Sequence, residues 1–211
     1  MNIIEVKNVI YSYDDNRKIL NDISINFKKG TIYAILGPSG CGKTTLLSLL
    51  GGLDKPTKGK VIVKDKDIAI LGLEKHRKEN VSFIFQNYNL IDYMNAIENV
   101  RLTAKLNAQE ILKELNISDD EMKRNVLKLS GGQQQRIAIA RALASDNEII
   151  LADEPTGNLD EDTSASIIDL LVNAAHTKGK CVIVVTHSRE LARHADGVFR
   201  LKKGQINYLQ V

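Results

Sequence analysis

Cysteine and proline are scarce in this 211-residue sequence, with two of the first and three of the second. Cys41 and Cys181 supply no disulfide framework and suit a reducing compartment. Three prolines leave little material for a linker, and no internal repeat or low-complexity tract breaks the chain, so one domain over 1–211 is expected. No stretch approaches the roughly 18 apolar residues of a membrane-spanning helix. The opening stretch MNIIEVKNVI lacks a charged leader followed by an apolar run, so a signal peptide is not expected. Charge of one sign is also wanting: a net +3 is too mild to imply a nucleic-acid partner. The lysines from Lys55 to Lys66 and the run Lys75-His76-Arg77-Lys78 therefore read as a solvated face. What is present, 43% hydrophobic and 26% charged residues, suffices for a buried core and excludes a disordered tail or a disulfide-stapled miniprotein.

The first thirty residues alternate, with Ile4, Val6 and Asn8 set against Glu5, Lys7 and Val9, and with Ile23, Ile25 and Phe27 following a turn at Asn21-Asp22. That pattern predicts half-exposed antiparallel strands. Thr31 to Leu36 (TIYAIL) is a nearly continuous apolar run of the kind buried in a parallel sheet, and Lys43 to Leu50 reads as the helix after it. Strands are expected at Val61–Val63 and Val81–Phe85. From about Asn87 to Lys128 strand signals vanish, and Ile97, Val100 and Ala104, then Ile111, Leu112 and Leu115, recur at helical spacing. This predicts a helical subdomain inserted over about 87–130. Alternation resumes with a helix near Gln133–Ala144, a strand at Glu148–Ala152, a helix near Asp162–His176, a strand at Cys181–Thr186, a short helix and two short strands. The expected class is α/β, with a mostly parallel core.

Three motifs carry chemistry. GPSGCGKT, comprising Gly37, Pro38, Ser39, Gly40, Cys41, Gly42, Lys43 and Thr44 and followed by Thr45, fits the phosphate-loop pattern between a buried strand and a helix. Its glycines let backbone N–H groups turn inward around a phosphate, and the following helix adds its positive end. Lys43 can reach the outer phosphates and the Thr44 hydroxyl can ligate Mg²⁺. Cys41 reads as a small residue the loop accepts. In EIILADEP the carboxylates Asp153 and Glu154 emerge at a strand end, where ligands of parallel sheets bind. Asp153 is suited to hold Mg²⁺ and Glu154 to polarise an attacking water. In LSGGQQQR, Ser130 caps a helix while Gly131 and Gly132, ahead of Gln133, expose backbone N–H groups. A second anion-binding helix start is best explained by a second nucleotide.

Together and in this order, these motifs resemble the ATP-binding cassette (ABC) ATPases over essentially the whole chain. The resemblance implies a P-loop NTPase fold with an N-terminal antiparallel β subdomain and a small helical insertion, an ATPase activity, and ATP with Mg²⁺. It implies a head-to-tail homodimer in which each ATP lies between the phosphate loop of one subunit and Ser130, Gly131, Gly132 and Gln133 of the other. Gln86, ending VSFIF, matches the Q-loop glutamine that ligates Mg²⁺; Asp160, in Asn158-Leu159-Asp160, matches the D-loop aspartate at the dimer interface; His187, after CVIVVT, matches the switch histidine at the γ-phosphate. Tyr13, before the turn Asp14-Asp15-Asn16, matches the aromatic that stacks on adenine, with Tyr11 as the competing choice. His76, His176 and His194 match nothing and read as surface or helix residues.

GGLDKPTKGKV, FQNYNLIDYMNAIENV and ADEPTGNLD are similar to the macrolide-efflux, lipoprotein-release and peptide-antibiotic-resistance branch. That branch implies a separate membrane permease, an exporter or force-transmitting role, and a cytoplasmic place on the inner face of the membrane. With the sequence ending at Val211, the regulatory domain of many sugar and amino-acid importers is not expected. Only 42 residues separate Gln86 from Leu129, fewer than is usual for that branch. The competing expectation is an ABC ATPase working without a permease; a small-molecule kinase is a distant third.

Overall fold

The computed structural model describes residues 2–13 and 17–209. The expected turn Asp14-Asp15-Asn16 lies outside the described residues. Two sheets account for the strands. A four-stranded antiparallel sheet has the order β2 (Lys18–Lys28), β1 (Asn2–Ser12), β4 (Lys58–Val63), β5 (Lys66–Asp67). A six-stranded sheet has the order β10 (Gln205–Leu209), β9 (Gly197–Lys202), β3 (Ile32–Leu36), β8 (Cys181–Thr186), β7 (Ile149–Asp153), β6 (Val81–Ile84). All its pairings are parallel except β9 with β10.

The apolar runs exist because both faces of this sheet are covered. Ile32 and Ala34, Ile150 and Ala152, and Val182 and Val184 enter one core cluster. Their neighbours Tyr33 and Ile35, Ile149 and Leu151, and Ile183 and Val185 enter another, as the two-residue strand period requires. The second cluster also takes α1 (Lys43–Leu50) and the apolar face of the small sheet. The first takes α7 (Gly131–Ala144), α8 (Glu161–His176), α9 (Arg189–Arg193) and the short helices α4 (Ala96–Arg101), α5 (Ala108–Glu114) and α6 (Asp119–Lys123). These short helices are held by caps: Asn95 with Glu98 and Ser118 with Glu121 form reciprocal capping boxes, and Asn107 caps α5. A 3₁₀ turn, Val126–Lys128, leads into α7.

Three local expectations need correction. The alternation does not carry through Asn8: its φ is 48° and the β1–β2 register shifts between Val6 and Val9, so Val9 and Tyr11 take the buried face. Asn21-Asp22 is not a turn. Asp22, at φ 57°, lies inside β2 at the next register shift, between Val9 and Tyr11, and its carboxylate accepts from Asn8 Nδ2 at 2.9 Å. The two strands thus each carry a bulge, and the pair is tied together by two short polar side chains that tolerate the left-handed region. Third, the run at Lys75–Lys78 is not wholly a solvated face. It lies in α3 (Leu73–Glu79), which follows α2 (Ile68–Leu71), and it turns His76 fully inward. His76 Nε2 is 2.9 Å from the Leu50 carbonyl oxygen, and Arg77 donates to the Gly52 carbonyl, so the run clamps the end of α1.

Candidate active site

Parallel strands β3, β8, β7 and β6 run side by side, so their carboxyl ends open on one rim. From that rim the chain delivers, in spatial order, the loop Gly37–Gly42, His187, Asp153 with Glu154, and Gln86. This is where an open α/β sheet binds its ligand.

The loop has no room for a side chain at its first residue. A Cβ on Gly37 would strike the Leu201 carbonyl oxygen and lie 2.6 Å from Cys41 Sγ. Gly42, at φ 103°, starts α1 without a side-chain cap, leaving the helix N-terminus open to an anion. Lys43 Nζ folds back onto the loop, donating to the carbonyls of Gly37 at 2.7 Å and Pro38 at 3.3 Å. Pro38, Ser39 and Gly40 are exposed, and nothing approaches a Cβ on Gly40 within 4 Å. Thr45 is buried, and its hydroxyl is 3.2 Å from Tyr13 Oη.

Asp153 is half-buried at the end of β7. Burial pushes its carboxyl above the ordinary carboxylate range, with the Glu154 charge adding to the effect; a hydrogen bond from Thr44 and the Lys43 charge oppose it. The chain then turns through Glu154 at φ 45°, a left-handed conformation costlier for its longer side chain than for Asp or Asn, while its N–H bonds the Val185 carbonyl at 2.9 Å. This aims the Glu154 carboxylate at the exit of β8. Oε2 accepts from Thr186 Oγ1 at 2.9 Å and the His187 N–H at 3.2 Å, and His187 Nδ1 lies 3.0 Å away. Gln86 is exposed, with Nε2 3.5 Å from where a Cβ on Gly157 would stand, in the turn after Glu154.

The two tyrosines occupy different environments. Tyr11 is buried and donates to Asp54, which pushes its hydroxyl pKa up to about 12. Tyr13 is 72% exposed, propped edge-on against Tyr11 with ring centroids 5.1 Å apart.

The motif Ser130–Gln133 forms the first turn of α7. Ser130 caps it, its Oγ accepting from Gln133 N at 3.3 Å while Gln133 Oε1 accepts from Ser130 N at 2.8 Å. Gln133 also donates to Glu121. Among the described residues no hydrogen bond or ion pair links Ser130–Gln133 to Gly37–Thr44. Asp160 caps α8, accepting from Thr163 N at 2.9 Å and Thr163 Oγ1 at 2.8 Å, bonds that hold its carboxyl below the ordinary range.

Sequence reasoning overlooked Thr186, whose signal was a polar residue ending the apolar run CVIVVT. It also overlooked Arg141, which donates to the carbonyls of Asn89 at 2.6 Å and Tyr88 at 3.0 Å and so pins the segment after Gln86 to α7.

A phosphate loop, a strand-end carboxylate pair and a second glycine-rich helix start on one α/β core define a nucleoside-triphosphate-binding cassette. The chain matches the ABC transporter family over residues 20–157, more than half its length. It is 42% identical over 217 residues to the ABC transporter ATP-binding protein YclH of Bacillus subtilis, covering 98% of this chain and 96% of that one. It is 39% identical to the macrolide export ATP-binding/permease protein MacB of Mannheimia succiniciproducens, covering 98% of this chain but only 34% of that protein. The dimeric structure of the ABC transporter cassette MJ0796 superposes with a TM-score of 0.87 at 38% identity, covering 99% of each chain. A post-hydrolysis dimer of MJ0796 bound to ADP and Pi superposes with the same TM-score at 36% identity. The chain belongs to the ABC transporter family as an ATP-binding subunit, and is an ATPase of the P-loop cassette fold.

Proposed function

We propose that this ATPase works as a head-to-tail homodimer that closes on two ATP molecules and drives a separate membrane permease of the macrolide-export or lipoprotein-release kind. The observation that carries the reading is the division of the site. Lys43, Asp153, Glu154, His187 and Gln86 belong to one strand-end rim, whereas among the described residues Ser130–Gln133 makes no bond with the phosphate loop. A second subunit supplies what each rim lacks.

In this reading Gly37–Thr45 wraps the triphosphate, Lys43 leaves the carbonyls of Gly37 and Pro38 for the outer phosphates, and Tyr13 stacks on the base. Glu154 takes the proton of the attacking water while His187 holds the γ-phosphate. Ser130, Gly131, Gly132, Gln133 and Asp160 of the other subunit complete the site. The Thr44 hydroxyl on the half-buried Asp153 carboxyl, with the Gln86 amide, offers the oxygen donors Mg²⁺ prefers. When bound, the ion neutralises phosphate charge.

The segment 87–130 is the part expected to move with nucleotide. A cleft of about 550 Å³ beside edge strand β6, lined by Phe83, Phe85, Leu102, Lys78, Lys105 and Arg141, suits a permease segment. Among the described residues no helix is long and apolar enough to cross a membrane, so a membrane role falls to that partner.

The test is a pull-down of tagged Glu154→Gln with ATP and Mg²⁺ from detergent-solubilised host membranes. Stoichiometric recovery of an integral membrane protein is expected. Recovery of soluble proteins alone would replace this reading with a permease-free ABC ATPase.

A further inference from the structure

The two glycines at the start of α7 are half-buried, each abutted on one side by its own subunit. A Cβ on Gly131 would stand 2.9 Å from Tyr88 Oη and 3.9 Å from Leu159 Cδ2. A Cβ on Gly132 would stand 2.7 Å from Thr163 Cγ2. Tyr88 lies two residues after Gln86; Leu159 directly precedes Asp160, and Thr163 is bonded to it. Tyr88, in the segment after β6, and Thr163, in the first turn of α8, therefore touch the first turn of α7 at distances that leave no methyl's width.

Tyr88 is the more constrained of these contacts. Its backbone is left-handed, at φ 60°, as is that of Asn89, at φ 47°. For a tyrosine such a conformation persists only where surroundings over-determine it. They do so here: the Tyr88 N–H bonds the Phe85 carbonyl at 3.1 Å, and the half-buried Arg141 guanidinium grips the carbonyls of Tyr88 and Asn89. Arg141 belongs to the same helix whose first turn meets the Tyr88 hydroxyl. The segment after Gln86 is thus fixed to α7 at two points, a guanidinium near its end and a phenol at its start. A shift of Gln86 cannot reach α7 through Arg141 alone without moving the phenol across Gly131, because close-packed contacts do not deform continuously.

We propose that Tyr88 is a positioning residue that transmits the state of Gln86 in one ATP site to Gly131, and through it to the ATP site completed by that helix start. The proposal rests on the two-subunit reading above. Tyr88 touches no nucleotide; it sets where the Gly131 and Gly132 amides stand when the second subunit arrives. Occupancy of one site then eases closure over the other, which appears as cooperativity in ATP.

The test uses the full chain carrying Glu154→Gln, with dimer formation followed by sedimentation velocity against ATP concentration. Nucleotide affinity of the monomer is read separately with a fluorescent ATP analogue below the dimerisation range. Tyr88→Ala is expected to raise the ATP needed for half-dimerisation about five-fold and to bring the Hill coefficient toward 1, with monomer affinity unchanged. The second variant is Tyr88→Phe, which keeps the ring and tests the hydroxyl contact alone. Combined with Gly131→Ala it forms a double-mutant cycle, and the pair is expected to be non-additive because the methyl takes the space of the hydroxyl. Unchanged dimerisation of Tyr88→Ala overturns the proposal. If that variant loses monomer affinity, the cycle decides: additivity overturns the proposal and coupling upholds it. Failure of the Glu154→Gln parent to dimerise would instead strike the two-subunit reading itself, and Tyr88 with it.

Discussion

Glu154 and His187 meet at 3.0 Å, Oε2 to Nδ1, and the same carboxylate oxygen also holds the Thr186 hydroxyl and the His187 N–H. The strand-end carboxylate is therefore tied to the β8 exit, while the neighbouring Asp153 carries the bond from Thr44. The left-handed turn at Glu154 thus gives the two carboxylates of one dipeptide different partners.

Glu154→Gln keeps an amide oxygen where the Thr186 and His187 donors need it, so folding and ATP binding are expected to survive. Loss of a general base costs about 10²- to 10⁴-fold in turnover. Phosphate release should fall by at least about a hundred-fold, and size-exclusion chromatography with ATP should show a dimer. His187→Ala should also lose most turnover while keeping nucleotide affinity; full activity in that variant would remove the histidine from the site.

How much of this was legible depended on what buries each segment. TIYAIL, CVIVVT and the strand before Asp153 read correctly because strands covered on both faces leave continuous apolar runs. The small sheet was harder: the paired bulges at Asn8 and Asp22 keep the composition of a turn while each strand continues. His76 was hidden in a basic run, because burial of one residue among four charged or polar ones depends on where α3 meets α1, a long-range contact. Gly37–Thr44 and Asp153-Glu154 are local motifs, and the structure places both at the strand-end rim. The Tyr88 contact joins residues 43 positions apart and has no local signature.

Lys43→Ala should abolish the interaction with the outer phosphates and leave the loop carbonyls of Gly37 and Pro38 without their present donor. A hydrogen bond to a charged group contributes about 1.5–3 kcal/mol, so ATP affinity should drop by more than about ten-fold. Isothermal titration with ATP and with ADP separates the outer phosphate from the rest: the loss should be larger for ATP. Equal affinities for wild type and variant would move the triphosphate away from this loop.

The tyrosine pair offers a test of base recognition with an internal control. Tyr13→Ala should weaken ATP binding about ten-fold, since base stacking on an aromatic ring is worth about 1–3 kcal/mol, and Tyr13→Phe should be nearly neutral. Tyr11→Phe, which removes the bond from β1 to Asp54 in the bend after α1, should lower thermal stability and leave nucleotide affinity intact. A fluorescence titration on all three reads the difference. The reverse pattern would assign the base to Tyr11.

Stability should respond to acid in two separate windows. His76 is fully buried, and burial lowers its pKa below the ordinary histidine value, with the Leu50 carbonyl opposing and the Arg77 charge adding. The unfolded chain therefore takes up a proton near pH 6.5 that the folded chain refuses, so stability declines as pH falls below about 6.5. Glu148 acts lower down. Lys29 and Lys64 each approach it, at 2.8 and 2.7 Å, and hold its pKa at about 2. Its contribution is complete above the unfolded carboxylate range and is lost only as pH falls from about 4.3 toward 2. Glu148 is partly exposed and screened, so this second loss should be small and salt-sensitive. Urea denaturation at closely spaced pH values should show the first decline between pH 7 and 5. His76→Gln, which keeps a donor for the Leu50 carbonyl but cannot titrate, should remove that decline and leave the lower one. A decline that persists in His76→Gln would place the titrating group elsewhere.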